Sequence, residues 1–464
     1  MNSMRLSAQD AAFIYGEDQR IPLHVGCLCF MEAGPLRGGD GVIDIERIRS
    51  EIARRLHLAP LFRKRLVHVP FDQGRPVWVD DPRFDIANHV HLAAVPQPGS
   101  RREVLDLMGR VQAAVLDRNK PLWEISFVDG LDGGDRVAVI AKVHHAMIDG
   151  TTGVEIGKLL FNLSPESTPL DVPPWEPAPE PSGADLLWNA FSHHAADAVS
   201  RSRKLAGALL DVRKPFEHAY KFAHALAGIS SDFDPLPFNG RVGSRRSFEF
   251  SSVPLDVVFA ARKAFGATVN DIGLAAVTGA LRGYCAENRI DPDGLRRIKA
   301  ICPVDNRAPD DRRPGSDVSS MFVDLPIDEP SVGERVARIV ACSRSVKRLD
   351  VADGANAWAR ATSLLPATLL RATSWLQFRG LMGNASLLVS NVRGPAAPFY
   401  CFGARVESFH PYFGVQDGLG LNVVLFSYAG QLLIGLGADP DLMPDLGSFA
   451  EGVTKAFGEI TSVI

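Results

Sequence analysis

Lys142-Val143-His144-His145-Ala146-Met147-Ile148-Asp149-Gly150 places two imidazoles and a carboxylate on one short stretch closed by glycine, in the pattern HHxxxDG. The residues before it, Arg136 to Val143, form a mostly apolar, β-branched run with the character of a buried strand, and Thr151 to Ser164 then carry apolar residues at helical spacing. The motif is therefore expected in a strand-to-helix turn. A neutral imidazole, with an ordinary pKa of about 6.5, accepts a hydroxyl proton near neutrality if its other ring nitrogen is held as the donor. Asp149 has two readings: it holds that nitrogen, or it points away and pairs with an arginine that braces the loop. Gly150 suits a positive φ or a close backbone approach, and Thr151 or Thr152 suits a helix cap. A second pair, His193-His194, is followed by Asp197 but by no glycine, and reads as decoration on a helix.

At 464 residues the chain is long for one hydrophobic core, so two domains are expected. With 46% hydrophobic and 22% charged residues and a net charge of −4, nothing suggests a nucleic-acid partner. No window approaches the roughly 18 uninterrupted apolar residues that span a bilayer. No apolar stretch follows Met1 to Leu6, so a secretory signal is not expected. These features together predict a cytosolic or peripheral membrane protein. The six cysteines contain no CxxC element; Cys27 and Cys29 sit two apart on a strand-like run and share a face, while Cys285, Cys302, Cys342 and Cys401 read as packing residues. A metal held by His144, His145 and Asp149 is disfavoured, because adjacent side chains diverge and no HExxH element accompanies them.

Up to about residue 165, strand-like runs (Val25 to Phe30, Leu66 to Val69, Leu122 to Val128, Val137 to Val143) alternate with helical patterns (Ile43 to Leu56, Arg102 to Asp117). Ser164 to Gly183 is rich in proline, serine and acid and reads as a linker; Leu186 to Gly228 follows as one or two helices, then a turn-rich stretch from Asp232 to Gly243. The mixed pattern then resumes with strand Arg246 to Phe250, helix Asn270 to Asn288, strands Ile298 to Cys302 and Met321 to Leu325, helix Ser331 to Lys347, and strands Leu387 to Ser390, Leu421 to Tyr428 and Gln431 to Leu436. This divides the chain into residues 1–165, 166–243 and 244–464, with an α/β or α+β layered build in the outer two.

Further segments accompany the histidines in order: Leu6-Ser7 with Asp10-Ala11, Pro22-Leu23-His24-Val25-Gly26, Phe62-Arg63 with Arg65-Leu66, Leu116-Asp117-Arg118, and Pro121-Leu122-Trp123-Glu124. The second half adds Asn270-Asp271, Pro303-Val304 with Arg307, Ser319 to Val323, Ser390-Asn391-Val392-Arg393-Gly394-Pro395, and Gly420-Leu421-Asn422. The ordered set resembles the bacterial wax ester synthase/diacylglycerol acyltransferase family, within the CoA-dependent HHxxxDG acyltransferase superfamily. Leu23, Arg393 and Asp305-Asn306 depart from the family's usual pattern. The resemblance implies two domains of the chloramphenicol acetyltransferase-like fold with mixed sheets and the catalytic turn at their interface. It picks His145 as the base that deprotonates the acceptor, and favours the bracing role for Asp149; Arg307, otherwise a solvated strand end, is the best candidate for the partner.

The same resemblance puts Pro121 to Glu124 close to the catalytic turn, shaping the acyl or alcohol channel; read by itself, this element packs Trp123 in a core with Glu124 facing solvent. Asn270 and Asp271 have the composition of a helix N-terminus, where a plain cap competes with an oxyanion donor role for the Asn270 amide. Gly394 and Pro395 are expected to fix a turn, which family placement puts, with Ser390 and Asn391, near the CoA or acyl passage. Two basic, aromatic stretches, Leu186 to Ala227 and Trp358 to Met382, read either as interfacial helices or as helices with one buried face. The expected activity is acyl transfer from a long-chain acyl-CoA to diacylglycerol or a long-chain alcohol, giving triacylglycerol or wax ester. No cofactor beyond the acyl-CoA substrate is implied. The expected location is cytoplasmic, peripherally on the inner membrane face or on lipid droplets. A carrier-protein-dependent condensation enzyme and an inactive lipid-surface protein are the competing readings.

Overall fold

A computed structural model describes residues 4–148, 157–166, 172–193, 233–305, 318–348, 368–372, 374 and 385–464. Asp149, Gly150, Thr151, Thr152, His194, Arg307 and residues 358–367, 373 and 375–382 of the stretch Trp358 to Met382 lie outside the described residues, as does 194–227 of the stretch Leu186 to Ala227. The first half runs β1 (Met4–Arg5), α1 (Ala8–Gly16), β2 (His24–Glu32), α2 (Ile45–Arg55), β3 (Lys64–Val67), β4 (Val77–Asp80), β5 (Val90–Ala94), α3 (Arg101–Ala113), β6 (Trp123–Leu131) and β7 (Arg136–His144). The second runs β8 (Ser247–Pro254), α4 (Leu255–Ala264), α5 (Val269–Glu287), β9 (Lys299–Asp305), β10 (Val318–Asp324), α6 (Val332–Arg348), β11 (Leu387–Arg393), β12 (Tyr400–Cys401), β13 (Ala404–Phe413), β14 (Leu421–Tyr428), β15 (Gln431–Ala438) and α7 (Leu446–Ser462).

Two six-stranded mixed sheets carry these elements, in the orders β12-β13-β2-β7-β6-β5 and β10-β9-β11-β14-β15-β8, beside a small sheet β1-β4-β3. In the first, β5 pairs in parallel with β6, whereas β2, β7 and β6 are antiparallel. In the second, β11 lies parallel to both β14 and β9. The run before the histidines is mostly apolar because both faces of β7 are covered. Val137, Val139, Ala141 and Val143 enter one core with Cys27, Cys29 and Met31, and Ala138 and Ile140 enter another with Leu28 and Phe30. Cys27 and Cys29 do share a face, their sulfurs 3.8 Å apart.

The register of β2 on β7 sets His24 directly opposite His144 and Gly26 opposite Lys142. Only glycine fits at position 26, since a Cβ there would collide with the Ala141 carbonyl and the Tyr412 hydroxyl. Strand β13 crosses between the halves: it follows β11 and β12 in the chain, yet it pairs antiparallel with β2, from Val406 opposite Met31 to Phe413 opposite Val25. Sequence periodicity does not reveal β13, because Pro411 and His410 interrupt its alternation. The strand also packs against β14 and β15 of the second sheet.

Candidate active site

Strand β7 ends on His144, and residues His145–Met147 turn immediately as one short 3₁₀ segment. Two neighbouring carbonyls hold the backbone there. His144 N–H donates to the Leu122 carbonyl at 2.9 Å, and His145 N–H donates to the Leu23 carbonyl at 2.8 Å. The His145 ring stacks on Phe13 from α1, centroids 3.8 Å apart and 19° from parallel, and meets the Phe413 ring edge-on at 5.3 Å. Burial disfavours the imidazolium, the adjacent His144 adds to this, and the ring's own backbone carbonyl offsets part of it, leaving the pKa pushed down to about 4. At neutral pH the ring is uncharged, which is the proton-accepting state a general base requires.

His144 points the other way, into the protein, where it is fully buried. Its Nδ1 accepts a hydrogen bond from Ala146 N–H at 3.0 Å and so caps the turn that carries His145. Its Nε2 lies 3.5 Å from Oε1 of Glu17, and His24 Nε2 lies 3.2 Å from the same oxygen. Leu23 N–H donates to Oε1 at 3.1 Å, and the Arg118 guanidinium pairs with Oε2 at 3.0 Å. Burial alone raises the Glu17 carboxyl, but the N–H groups of His144 and His24 outweigh it and hold the carboxyl well below the usual range. Burial lowers His24, partly offset by Glu17, to about 4. The pocket thus holds one carboxylate against the Arg118 cation and two imidazoles.

The Pro121 to Glu124 element adjoins this turn through Leu122, but Pro121, Leu122 and Trp123 are all buried. Trp123 stacks on His89 at 4.6 Å and donates its indole N–H to the Phe62 carbonyl at 2.8 Å, so its visible role is packing. Glu124 is not simply solvent-facing: it pairs with the buried Lys142 at 3.1 Å. At α5 the cap is Thr268, not Asn270. Asp271 completes a capping box by accepting from Thr268 N–H at 2.9 Å, while Asn270 sits partly buried in the first turn. Ser390 and Asn391 lie within β11, which runs on to Arg393, so the turn begins at Gly394 and Pro395 rather than at 390. A Cβ at Gly394 would collide with the Ser427 carbonyl and the Phe426 ring. Sequence reasoning missed Glu17 and Phe13, both delivered by α1 and its C-cap; His24 and Arg118 stood inside quoted segments without an assigned task.

The two halves meet beside the turn. Arg20 donates to the Val242 carbonyl at 2.9 Å and pairs with Asp417 at 3.2 Å, and Arg246 donates back to the Arg20 carbonyl. A narrow crevice of about 10 Å³, room for about one water, lies between the halves, lined by His24, Gln112, Arg246, Phe248, Tyr412 and Phe413 among others. Through Arg246 and Phe248 it adjoins an open groove of about 570 Å³ that presents Arg102, Arg110 and Arg245 together with Asp106, Glu249 and Asp445. Residues 6–273 match the wax ester synthase/diacylglycerol acyltransferase catalytic domain, and residues 315–461 match the C-terminal domain of the same family. The chain belongs to that family.

Its relatives in the wax ester synthase/diacylglycerol acyltransferase family span nearly all of it. A Mycobacterium tuberculosis protein named as a diacylglycerol O-acyltransferase is 31% identical over 98% of this chain and 90% of its own length. Another from the same species is 30% identical over 92% of each chain. Among solved structures, the wax ester synthase/diacylglycerol acyltransferase of Marinobacter aquaeolei VT8 superposes with a TM-score of 0.70 at 22% identity, covering 98% of both chains. The first condensation domain of the calcium-dependent antibiotic synthetase superposes with a TM-score of 0.61 at 16% identity, covering 100% of this chain and 97% of that one. These likenesses establish the two-domain chloramphenicol acetyltransferase-like fold expected for the family, and with the family match they make this chain an acyltransferase. The condensation and inactive-binding readings are not favoured.

Proposed function

We propose that the protein transfers a long-chain acyl group from acyl-CoA to the hydroxyl of diacylglycerol or of a long-chain alcohol, with His145 as general base. The observation that carries this reading is the uncharged His145 ring, clamped between Phe13 and Phe413 where the two halves meet. In that reading the imidazole takes the hydroxyl proton as the oxygen attacks the thioester carbonyl. The tetrahedral oxyanion collapses to the ester, and the thiolate of CoA leaves and takes up the proton. No acyl-enzyme is needed, and no cofactor beyond the acyl-CoA itself. The names of the relatives support the acceptor class.

Such amphiphilic substrates favour work at a membrane or lipid-droplet surface. Among the described residues no single helix is long and apolar enough to cross a membrane. Incubation with labelled palmitoyl-CoA and a panel of acceptors tests the reading directly: ester formation on diacylglycerol or a long-chain alcohol is expected, and release of free fatty acid alone, or no turnover, overturns it. His145→Ala should lower kcat by about 10²-fold to 10⁴-fold with KM for acyl-CoA much less affected. A folded His145→Ala protein with near-normal turnover would remove His145 from the role.

A further inference from the structure

We infer that Glu17 is a positioning residue for the reaction, acting through His144: the buried carboxylate sets the His144 tautomer, and that tautomer caps the turn on which His145 is presented. The inference rests on the reading of His145 as the base. Ala146 N–H is a donor, so the His144 Nδ1 that accepts from it at 3.0 Å must carry a lone pair. The single proton of neutral His144 then belongs on Nε2, which faces Glu17 Oε1 at 3.5 Å. A carboxylate accepts and never donates, so Glu17 favours this tautomer over the other. Were the proton to move to Nδ1, two donors would face each other across the cap and the turn would lose its hydrogen bond.

Glu17 reaches the base by a second route. Its Oε1 accepts from Leu23 N–H at 3.1 Å, and the Leu23 carbonyl in turn accepts from His145 N–H at 2.8 Å. Arg118 keeps the carboxylate in place, donating to Oε2 at 3.0 Å and to the Ile14 carbonyl at 2.8 Å from the same Nη2. Glu17 is also the C-cap of α1, its N–H bonded to the Phe13 carbonyl at 3.2 Å. The residue that orients His144 is thus tied covalently and by hydrogen bond to the ring that stacks on His145. A buried charge is costly to keep without a task, and here it meets the His144 ring and the Leu23 N–H, the two groups through which the His145 turn is braced.

Two variants of His144 separate the two ends of the link. His144→Asn keeps an acceptor oxygen where Nδ1 stood and abandons Glu17; His144→Gln reaches toward Glu17 and abandons the cap. His144→Gln should lose on the order of 10²-fold in kcat, the usual cost of a base displaced by about an ångström, with KM for acyl-CoA changed little, and His144→Asn should lose at least about 10-fold less. Glu17→Gln, which can present an amide donor to Nε2, should lower kcat in the wild-type background and cost clearly less in the His144→Asn background, where no tautomer needs setting. Selective ¹⁵N-histidine labelling gives a readout independent of turnover: His144 should show the Nε2–H tautomer in the wild-type protein and shift toward Nδ1–H in Glu17→Gln. An Nδ1–H tautomer in the folded wild-type protein, or equal losses in His144→Asn and His144→Gln, overturns the inference. If Glu17→Gln does not fold, the His144 pair and the wild-type spectrum still decide it. Failure of the proposed activity would show instead as an absence of ester product in the wild-type protein.

Discussion

Phe13 and His145 stack face to face with their ring centroids 3.8 Å apart, although they are 132 positions apart in the chain. The contact covers one side of the His145 ring and fixes its plane, and aromatic stacking of this kind is worth about 0.5–1.5 kcal/mol. Phe13→Ala should therefore reduce kcat by up to about 10-fold and raise the apparent pKa of His145 toward its ordinary 6.5, while Phe13→Leu, which keeps much of the covering, should do less. The pH dependence of kcat/KM measures the shift, and an unchanged profile in Phe13→Ala would show that the stack does not govern the base.

With the His145 pKa pushed down to about 4, deprotonation is complete well below neutrality. The rate should rise with pH through that region and be flat from about pH 6 to pH 8 as far as this group decides it. A limb rising through pH 6 to 7 in kcat/KM would contradict the depressed value.

Stability should follow the same histidines. His24 and His145 titrate at about 4 and His410 at about 3 in the folded protein, all because burial penalises the charged ring, against about 6.5 in an unfolded chain. The unfolded state therefore binds more protons below pH 6.5. The stabilisation is full above that pH and is lost as the pH falls from about 6.5 toward 4, by up to about 3 kcal/mol for His24 alone. Urea unfolding at pH 7.0 and pH 5.0 should show a clearly lower midpoint at the acid value, with a similar slope.

If Asp149 and Arg307 pair to brace the catalytic loop, removing either leaves an uncompensated charge and lowers both stability and activity. The double replacement should then cost less than the sum of the singles. Additive losses in that double-mutant cycle would exclude the pair.

If the basic stretch Trp358 to Met382 is an interfacial element rather than a packed one, it offers a route to lipid surfaces. Replacing Trp358, Trp375 and Phe378 by serine should reduce co-sedimentation with anionic vesicles and turnover of diacylglycerol in bilayers, while sparing a short soluble alcohol. Equal loss on both acceptors would mean that these residues belong to the core.

Much of this protein is legible without coordinates because its signals are local. The apolar run Arg136 to Val143 ends in HHxxxDG, and β7 with its turn lies where that pattern predicts. Strand β14 has the predicted bounds, and helices α2, α5 and α6 lie within two residues or so of theirs, since each carries its own periodicity and end signals. Even at α5 the local reading was one step off: Thr268 caps and Asp271 closes the box, leaving Asn270 free of that duty.

The surroundings of His145 are a different matter, because they are made of residues that no local pattern joins. Glu17 ends a short helix and carries no motif, yet the register that sets His24 opposite His144 puts its carboxylate between the two imidazoles. Phe413 reaches the base only because β13 leaves the second half of the chain and pairs with β2 in the first sheet, a pairing set by long-range hydrogen bonds rather than by its own alternation. The amino-acid sequence by itself determined the family to which the chain belongs and singled out His145 as the candidate base, since both are written in short local motifs. Tertiary structure alone decided what buries that base, orients it and lowers its pKa, since burial and hydrogen-bond geometry arise only when distant segments meet.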